Sequence, residues 1–272
     1  MEITSRQNAL VKDTVRLKQK KYRDREDLYF FEGLKLFEEA LAWKIPLKRI
    51  FVTPDRMAAL SEDLRARLTL ACPEYHLVSQ PVMEALSEQK MPEGILCVAR
   101  KNPADAKIFD NFFKKSGQKL QTCVILEDVQ DPGNVGTIIR TADAAGFDLV
   151  ICSRKSADIY SGKVQRAAMG SLFHLPVVQT EDLEAALLTL KARGLFLLGS
   201  ALSGQTSLPE DLGRHGAVGL ILGNESKGMS EALGSHCDAL YKIPMYGSAE
   251  SLNVSVASGI LMYDLARSLR GL

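Results

Sequence analysis

The chain has 272 residues, 46% hydrophobic and 25% charged, with a formal net charge of +1. That length suits two domains at roughly 100–200 residues each, and the composition is that of an ordinary globular protein. No apolar run approaches the roughly 18 residues of a membrane helix, and the opening MEITSRQNALVK lacks the apolar centre of a secretory signal.

Five cysteines, at 72, 97, 123, 152 and 237, are scattered without a C-x-x-C pair. That argues against a zinc site or a disulfide framework and predicts a reducing, cytoplasmic setting with no metal. The near-neutral total hides a basic start. Residues 1–25 hold eight basic side chains (Arg6, Lys12, Arg16, Lys18, Lys20, Lys21, Arg23 and Arg25) against three acids, a local +5. Such a segment is either a polyanion-binding arm or a solvated helix face.

In chain order, 7–20 has helical composition, Leu28–Phe31 reads as a buried strand, and Gly33 opens a helix over Leu34, Phe37, Ala40 and Leu41. A strand at Lys48–Thr53 precedes one helix over Met57–Leu68; a strand at Tyr75–Val78, a helix near Val82–Leu86 and a strand at Ile95–Ala99 follow. This alternation predicts a small α/β domain over 1–105. The polar stretch after it carries the breakers Asn102-Pro103 and Ser116-Gly117, so a linker is expected at 106–121.

A second α/β run fills 122–272. Its strands are Thr122–Leu126, Leu149–Cys152, Pro176–Val178, Leu195–Leu198, Ala217–Leu222 and Leu240–Ile243. Helices are expected over Val135–Ala145, Val164–Met169 and Leu183–Leu190, with a long one after Asn253. Continuous rather than alternating apolar strands fit a parallel sheet covered on both faces. Sites in such sheets form in the loops beyond the strand C-termini.

Three glycine-bearing loops lie at that edge. The first, EDVQDPGNVGTIIR, gives Asn134, Gly136 and Arg140 as N-x-G-x-x-x-R and lacks the G-x-G-x-x-G of a dinucleotide loop. The second, GLILGNESKG, carries Gly223, Glu225 and Gly228 but has Met229 where a P-loop needs lysine. The third, IPMYGSAESLNVS, brings Ser251 and Asn253 to the start of the last helix, where either could simply cap it. Gly170 and Ser171 form either another wall of the site or a helix end and turn.

Together the three loops resemble the three motifs of the SpoU/TrmH RNA ribose 2′-O-methyltransferases, as Asn134/Gly136/Arg140, Gly223/Glu225/Gly228 and Pro244/Met245/Gly247/Ser251/Leu252/Asn253/Val254/Ser255. The resemblance covers about residues 122–268. More loosely, Arg25, Phe30, Glu32-Gly33, Glu39-Ala40-Leu41 and Pro92-Glu93-Gly94-Ile95 are similar to that family's L30e-like substrate-binding module.

The resemblance implies a SPOUT fold with a deep C-terminal trefoil knot, which nothing in the periodicity reveals. It also implies a homodimer, S-adenosylmethionine as cofactor, and Leu222, Gly223, Ile243, Met245 and Leu252 lining the cofactor pocket. Methyl transfer to a ribose 2′-hydroxyl would rest on Arg140, Asn134, Glu225, Ser251 and Asn253. No histidine falls in the motifs: His76, His174, His215 and His236 lie elsewhere, so a histidine base is disfavoured. With this resemblance the basic stretch leans toward RNA contact, through Arg6, Lys18, Lys20, Lys21, Arg23 and Arg25 on phosphates. Ribosomal RNA, 23S in particular, is favoured over transfer RNA by analogy with module-bearing members. A non-catalytic RNA-binding protein that kept the fold is the rival reading.

Overall fold

The structure is a computed structural model that describes residues 2–72, 75–101, 106–114 and 121–271. The breakers Asn102-Pro103 and Ser116-Gly117 lie outside them. The chain forms two compact units: Met1–Lys101 with Tyr160–Phe173, and Asn102–Ile159 with His174–Leu272.

The first unit is built on strands β1 (Leu28–Glu32), β2 (Leu47–Val52), β3 (His76–Leu77) and β4 (Ile95–Arg100), in the order β1-β4-β2-β3. β4 runs antiparallel to β1 and β2, and β3 parallel to β2. All five residues of β1 are buried, as the run LYFFE dictates. Two expected helices are each split. Instead of one helix over 7–20 there are Ala9–Arg16 and Lys20–Glu26, separated at Leu17–Gln19. Met57–Leu68 becomes Pro54–Ala59 and Glu62–Ala71, because Leu60 is extended and the Ser61 hydroxyl accepts from Leu64 N–H to cap a new start.

The basic N-terminal stretch is not an arm. Val11 and Leu17 are buried in one core with Leu28, Phe51, Val82 and Leu86, and Ile3 N–H donates to Leu77 O at 2.8 Å. The segment Tyr160–Phe173 closes the same unit through the helix Gly162–Ala168, whose Gln165 amide donates to the Phe30 and Tyr160 carbonyls at 2.9 Å. Met169 ends that helix in the left-handed region and Gly170 follows at φ +94°. Gly170 is thus the turn after that helix, and Ser171 opens a short helix, Ser171–His174.

The second unit holds β5 (Gln121–Leu126), β6 (Leu149–Ser153), β7 (Val177–Thr180), β8 (Leu195–Gln205), β9 (Ala217–Leu222) and β10 (Ala239–Tyr241). Their order is β10-β8-β9-β5-β6-β7 and every pairing is parallel. β5 and β9 are buried at every position, consistent with the apolar runs Cys123–Leu126 and Ala217–Leu222; Gln121 and Thr122 are buried polar residues at the start of β5. β8 runs to Gln205, well past the expected Leu198, and its Gly204 permits contact with β10. A Cβ at Gly204 would stand 2.7 Å from Tyr241 backbone atoms. Where a linker was expected, Ala106–Lys114 is a helix, with Phe112 in the core of this unit. The helices Pro132–Ala144 and Val254–Arg270 pack together, Gly259 facing Thr141.

Candidate active site

Leu126 and Leu222 are register partners at the carboxyl ends of β5 and β9, so the loops that follow leave the sheet side by side. Their first link is backbone: Glu127 N–H donates to Leu222 O at 2.9 Å. In the first loop the Asp131 carboxylate accepts from Asn134 N–H at 2.9 Å and caps the helix Pro132–Ala144. Asn134 is thereby held in the first helical turn with its side chain free to reach across.

The second loop is a tight turn. Asn224 and Gly228 exchange backbone hydrogen bonds of 3.0 and 2.9 Å, and the Asn224 amide donates to Asp128 O at 2.8 Å. A Cβ on Gly223 would lie 2.2 Å from the Gly228 carbonyl carbon and Met229 nitrogen, so only glycine fits. That packing turns Glu225 toward the first loop. Its carboxylate accepts from Gln130 N–H and Asp131 N–H, both at 3.3 Å, and from the Asn134 amide at 3.2 Å.

Asn134 is also joined to the third loop. The Asn253 amide donates to Asn134 Oδ1 at 3.1 Å, while Asn253 Oδ1 accepts from Ser255 N–H at 2.8 Å and Val256 N–H at 3.4 Å. The polarity of this chain is forced. A carboxylate only accepts, so the NH2 of Asn134 faces Glu225; the first turn of a helix only donates, so the oxygen of Asn253 faces Ser255 and Val256. Each asparagine then has one orientation that satisfies both neighbours. Asn253 is a helix cap and also one end of a network through all three motif loops. Partial burial pushes the Glu225 carboxyl up, but its own backbone, Asn134, Asp131 and Gln130 outweigh this and hold it below its ordinary range.

The remaining expected site residues stand apart from the network. Arg140 is exposed on the helix Pro132–Ala144 and has no hydrogen bond or ion pair among the described residues. Glu225 therefore anchors the neighbouring loop and not Arg140. Ser251 is exposed. Two histidines of this unit are engaged elsewhere, His174 with Asp143 at 2.9 Å and His236 with Glu184 at 2.8 Å. Among the described residues no cluster of His, Cys, Asp or Glu is placed to hold a metal, and no helix is long and apolar enough to cross a membrane.

The stretch expected to hold the cofactor has few internal bonds. Lys242 N–H donates to Gln205 O at 2.8 Å, but from Ile243 through Leu252 no backbone or side-chain group makes a hydrogen bond among the described residues. Such amides need water or a ligand. Ile243 and Met245 are half-buried and Leu252 is exposed, whereas Leu222 is buried at the end of β9 and Gly223 is close-packed against Gly228 and Met229. Between the first and second loops opens a cleft of about 410 Å³ walled by Glu127, Asp128, Gln130, Asn224, Glu225 and Lys227; the five residues expected to line the cofactor pocket are not among its walls. Spacing alone did not single out Glu127 and Asp128. Glu127 accepts from Ser230 N–H at 2.8 Å, and Asp128, at φ +54°, accepts from the Ser153 hydroxyl at 2.7 Å. The one sequence signal for them was their place in the first loop.

The basic residues of the first unit divide. Arg23 is 5% exposed and donates to the Leu17 and Lys18 carbonyls at 2.6 and 2.8 Å. It stitches the helix break and does not face a phosphate. Lys18 donates to the Ala85 and Ser87 carbonyls at 2.9 and 2.6 Å, and burial pulls its ammonium below its ordinary range despite Glu88 and Glu32. Arg6 donates to Pro81 O at 2.9 Å. Lys21 and Arg25 are exposed and Lys20 half-buried, so these three remain available at the surface.

Residues 121–263 match the model of the SpoU rRNA methylase family, and residues 8–97 that of the MRM3-like substrate binding domain. The 23S rRNA (guanosine(2553)-2′-O)-methyltransferase RlmP of Bacillus subtilis is 36% identical, over 97% of this chain and 98% of the relative. An AdoMet-bound rRNA methyltransferase from Sinorhizobium meliloti is 32% identical with a TM-score of 0.82, covering 100% of this chain and 98% of that one. The SpoU methyltransferase AviRb from Streptomyces viridochromogenes, in complex with AdoMet, is 26% identical with a TM-score of 0.82, covering 96% and 98%.

Fold, loops and relatives together define an α/β methyltransferase of the SPOUT type, with the C-terminal trefoil knot of that fold and S-adenosylmethionine as cofactor. The chain belongs to the SpoU rRNA methylase family.

Proposed function

We propose that this protein transfers the methyl group of S-adenosylmethionine to a ribose 2′-hydroxyl of 23S ribosomal RNA. The observation that carries the reading is the hydrogen-bond chain Glu225–Asn134–Asn253, which unites the three motif loops inside the matched segment. The target follows from the full-length relative, which bears that substrate in its name.

Bound S-adenosylmethionine supplies a methyl group already activated by its sulfonium. The protein's task is then alignment and exclusion of water. Asn134, Ser251 and Asn253 orient the ribose hydroxyl, and Glu225 keeps Asn134 in place. The methyl group would pass from sulfur to the oxygen these residues hold, and the hydroxyl proton would be released to solvent with the products. Glu225 is a poor proton acceptor, since both its oxygens already accept hydrogen bonds. Arg140 is not the base either, because guanidinium stays protonated above about pH 12. It clamps the phosphate beside the target ribose and stabilises the developing alkoxide. Leu222, Gly223, Ile243, Met245 and Leu252 hold the cofactor, largely through backbone groups.

The protein acts as a homodimer in the cytoplasm. Supporting the dimer, Val256, Ile260 and Tyr263 form an exposed apolar stripe at helical spacing on Val254–Arg270. The direct test incubates protein, labelled S-adenosylmethionine and 23S rRNA transcript. Label in a ribose 2′-O-methyl nucleotide is expected; label absent from 23S but present on tRNA would overturn the target.

A further inference from the structure

The first unit carries a concave, positively charged pocket that the methyl-transfer chemistry does not use. It measures about 140 Å³ and is lined by Arg16, Tyr22, Arg25, Lys48 and Arg49. Three elements build it: the two N-terminal helices, which end and begin at the Leu17–Gln19 break, and the first half of β2.

The ladder there is irregular. Leu47 pairs with Ala99 and Arg49 with the adjacent Val98, so Lys48 is left over as a bulge. A bulge re-aims side chains at a sheet margin, and it presents Lys48 exposed and Arg49 half-buried at the pocket. Among the described residues neither has an ion-pair partner. Tyr22 organises the other side. Lys21 Nζ and Arg25 Cζ each lie 4.9 Å from its ring centroid and Arg16 Cζ 5.9 Å, distances at which a cation is attracted to a π face.

Two acids moderate the charge. Arg16 pairs with Asp13 at 3.4 Å and Arg25 with Glu26 at 2.7 Å, all four side chains about half exposed. Exposed pairs of this kind are weak, so an incoming phosphate readily displaces the carboxylates. The pocket thus sets four cations against the two acids Asp13 and Glu26, with Arg16 and Arg25 on the Tyr22 ring and Lys48 and Arg49 without an ion-pair partner among the described residues.

We propose that this pocket binds a phosphodiester of the substrate RNA, with Arg16, Arg25, Lys48 and Arg49 as the phosphate contacts and Tyr22 as a positioning residue. The assignment rests on the RNA-methylation reading above. It replaces Lys18 and Arg23, which are spent inside the unit, with Arg16, Lys48 and Arg49.

The test measures affinity of the full-length protein for 23S rRNA transcript across salt, for wild type, Lys48→Gln/Arg49→Gln and Arg16→Gln/Arg25→Gln. Each lost phosphate contact lowers the slope of log K against log salt by about 0.7–0.9. Because the pocket takes one phosphodiester, each double variant should flatten the slope by up to about 0.7–0.9 and weaken binding several-fold in low salt. Affinity for S-adenosylmethionine and the methylation rate at saturating RNA should not change. Tyr22→Phe should bind as wild type and Tyr22→Ala more weakly. Wild-type slopes in both double variants, with methylation intact, would overturn the pocket alone. A wild-type protein that neither binds nor methylates RNA would overturn the underlying reading as well.

Discussion

Asn134 and Asn253 stand 119 positions apart in the chain, yet the amide of one donates to the amide oxygen of the other at 3.1 Å. The bond joins the first turns of two packed helices, and Glu225 fixes its direction from one side. Separating its two duties, capping and linkage, is a direct test. Asn253→Ser keeps a cap oxygen and loses the linking NH2. Asn253→Ala loses both. The alanine variant should lose about 1 kcal/mol, seen as a lowered thermal midpoint, and the serine variant little. Both should methylate more slowly, by tenfold or more. A fully active serine variant would limit Asn253 to capping.

Glu225 makes the loop arrangement sensitive to acid. Its folded carboxyl lies below the ordinary value of 4.5, held there by Asn134, Asp131 and Gln130 against the opposing effect of burial. A depressed carboxylate contributes stability that is complete above the unfolded value and lost as pH falls through the folded one. The Gln130 and Asp131 amide resonances should therefore shift together on acidification, with a midpoint below 4.5. Glu225→Gln should abolish that transition. A midpoint at or above 4.5 would count against the hydrogen-bonded arrangement.

Arg140 is exposed and has no partner among the described residues, so removing it should leave the fold nearly untouched, within about 0.5 kcal/mol. Its proposed duty is confined to the bound complex. Arg140→Ala should bind S-adenosylmethionine as wild type and lose roughly a hundredfold in rate at saturating RNA, the scale of one lost electrostatic stabiliser. Full rate in that variant would contradict the phosphate-clamp role.

Arg23 behaves oppositely. Its guanidinium satisfies two carbonyls at the break between the first two helices, inside the unit. Arg23→Ala should cost about 2–3 kcal/mol, because hydrogen bonds to a charged group are lost and buried acceptors are left bare. Lys21→Ala, on the surface nearby, should leave the thermal midpoint unmoved. Equal midpoints for the two variants would show that Arg23 is not structural.

The exposed stripe of Val256, Ile260 and Tyr263 yields a prediction on assembly. Val256→Glu/Tyr263→Glu should convert the protein to a monomer by light scattering at micromolar concentration while S-adenosylmethionine-independent folding persists. A wild-type protein that is already monomeric would remove the stripe from consideration as a dimer face.

What could be read from sequence follows the range of the interactions concerned. Cys123–Leu126 of β5 and all of β9 are visible as apolar runs, and the cap at Asn253 is visible because a cap acts on its immediate neighbours. The helix over Met57–Leu68 misleads because apolar spacing continues across Leu60-Ser61, while a hydroxyl bond to Leu64 restarts the helix. Arg23 and Lys18 look like surface charges, and only the folded chain brings carbonyls of Leu17, Ala85 and Ser87 to them. Similarly, the resemblance to the three family motifs brought Asn134, Glu225 and Asn253 together as candidates. The direction of their hydrogen bonds, and the absence of Arg140 from them, needed the packing of loops some 90 residues apart.

The central claim is ribose methylation of 23S rRNA by this protein, and it is tested most directly by mapping 2′-O-methyl nucleotides in total RNA. The comparison is between cells lacking the protein, cells with wild type restored, and cells carrying Arg140→Ala. The account predicts one ribose methylation in 23S rRNA that disappears without the protein, returns with wild type and does not return with Arg140→Ala. An unchanged 23S methylation map in cells lacking the protein would contradict it.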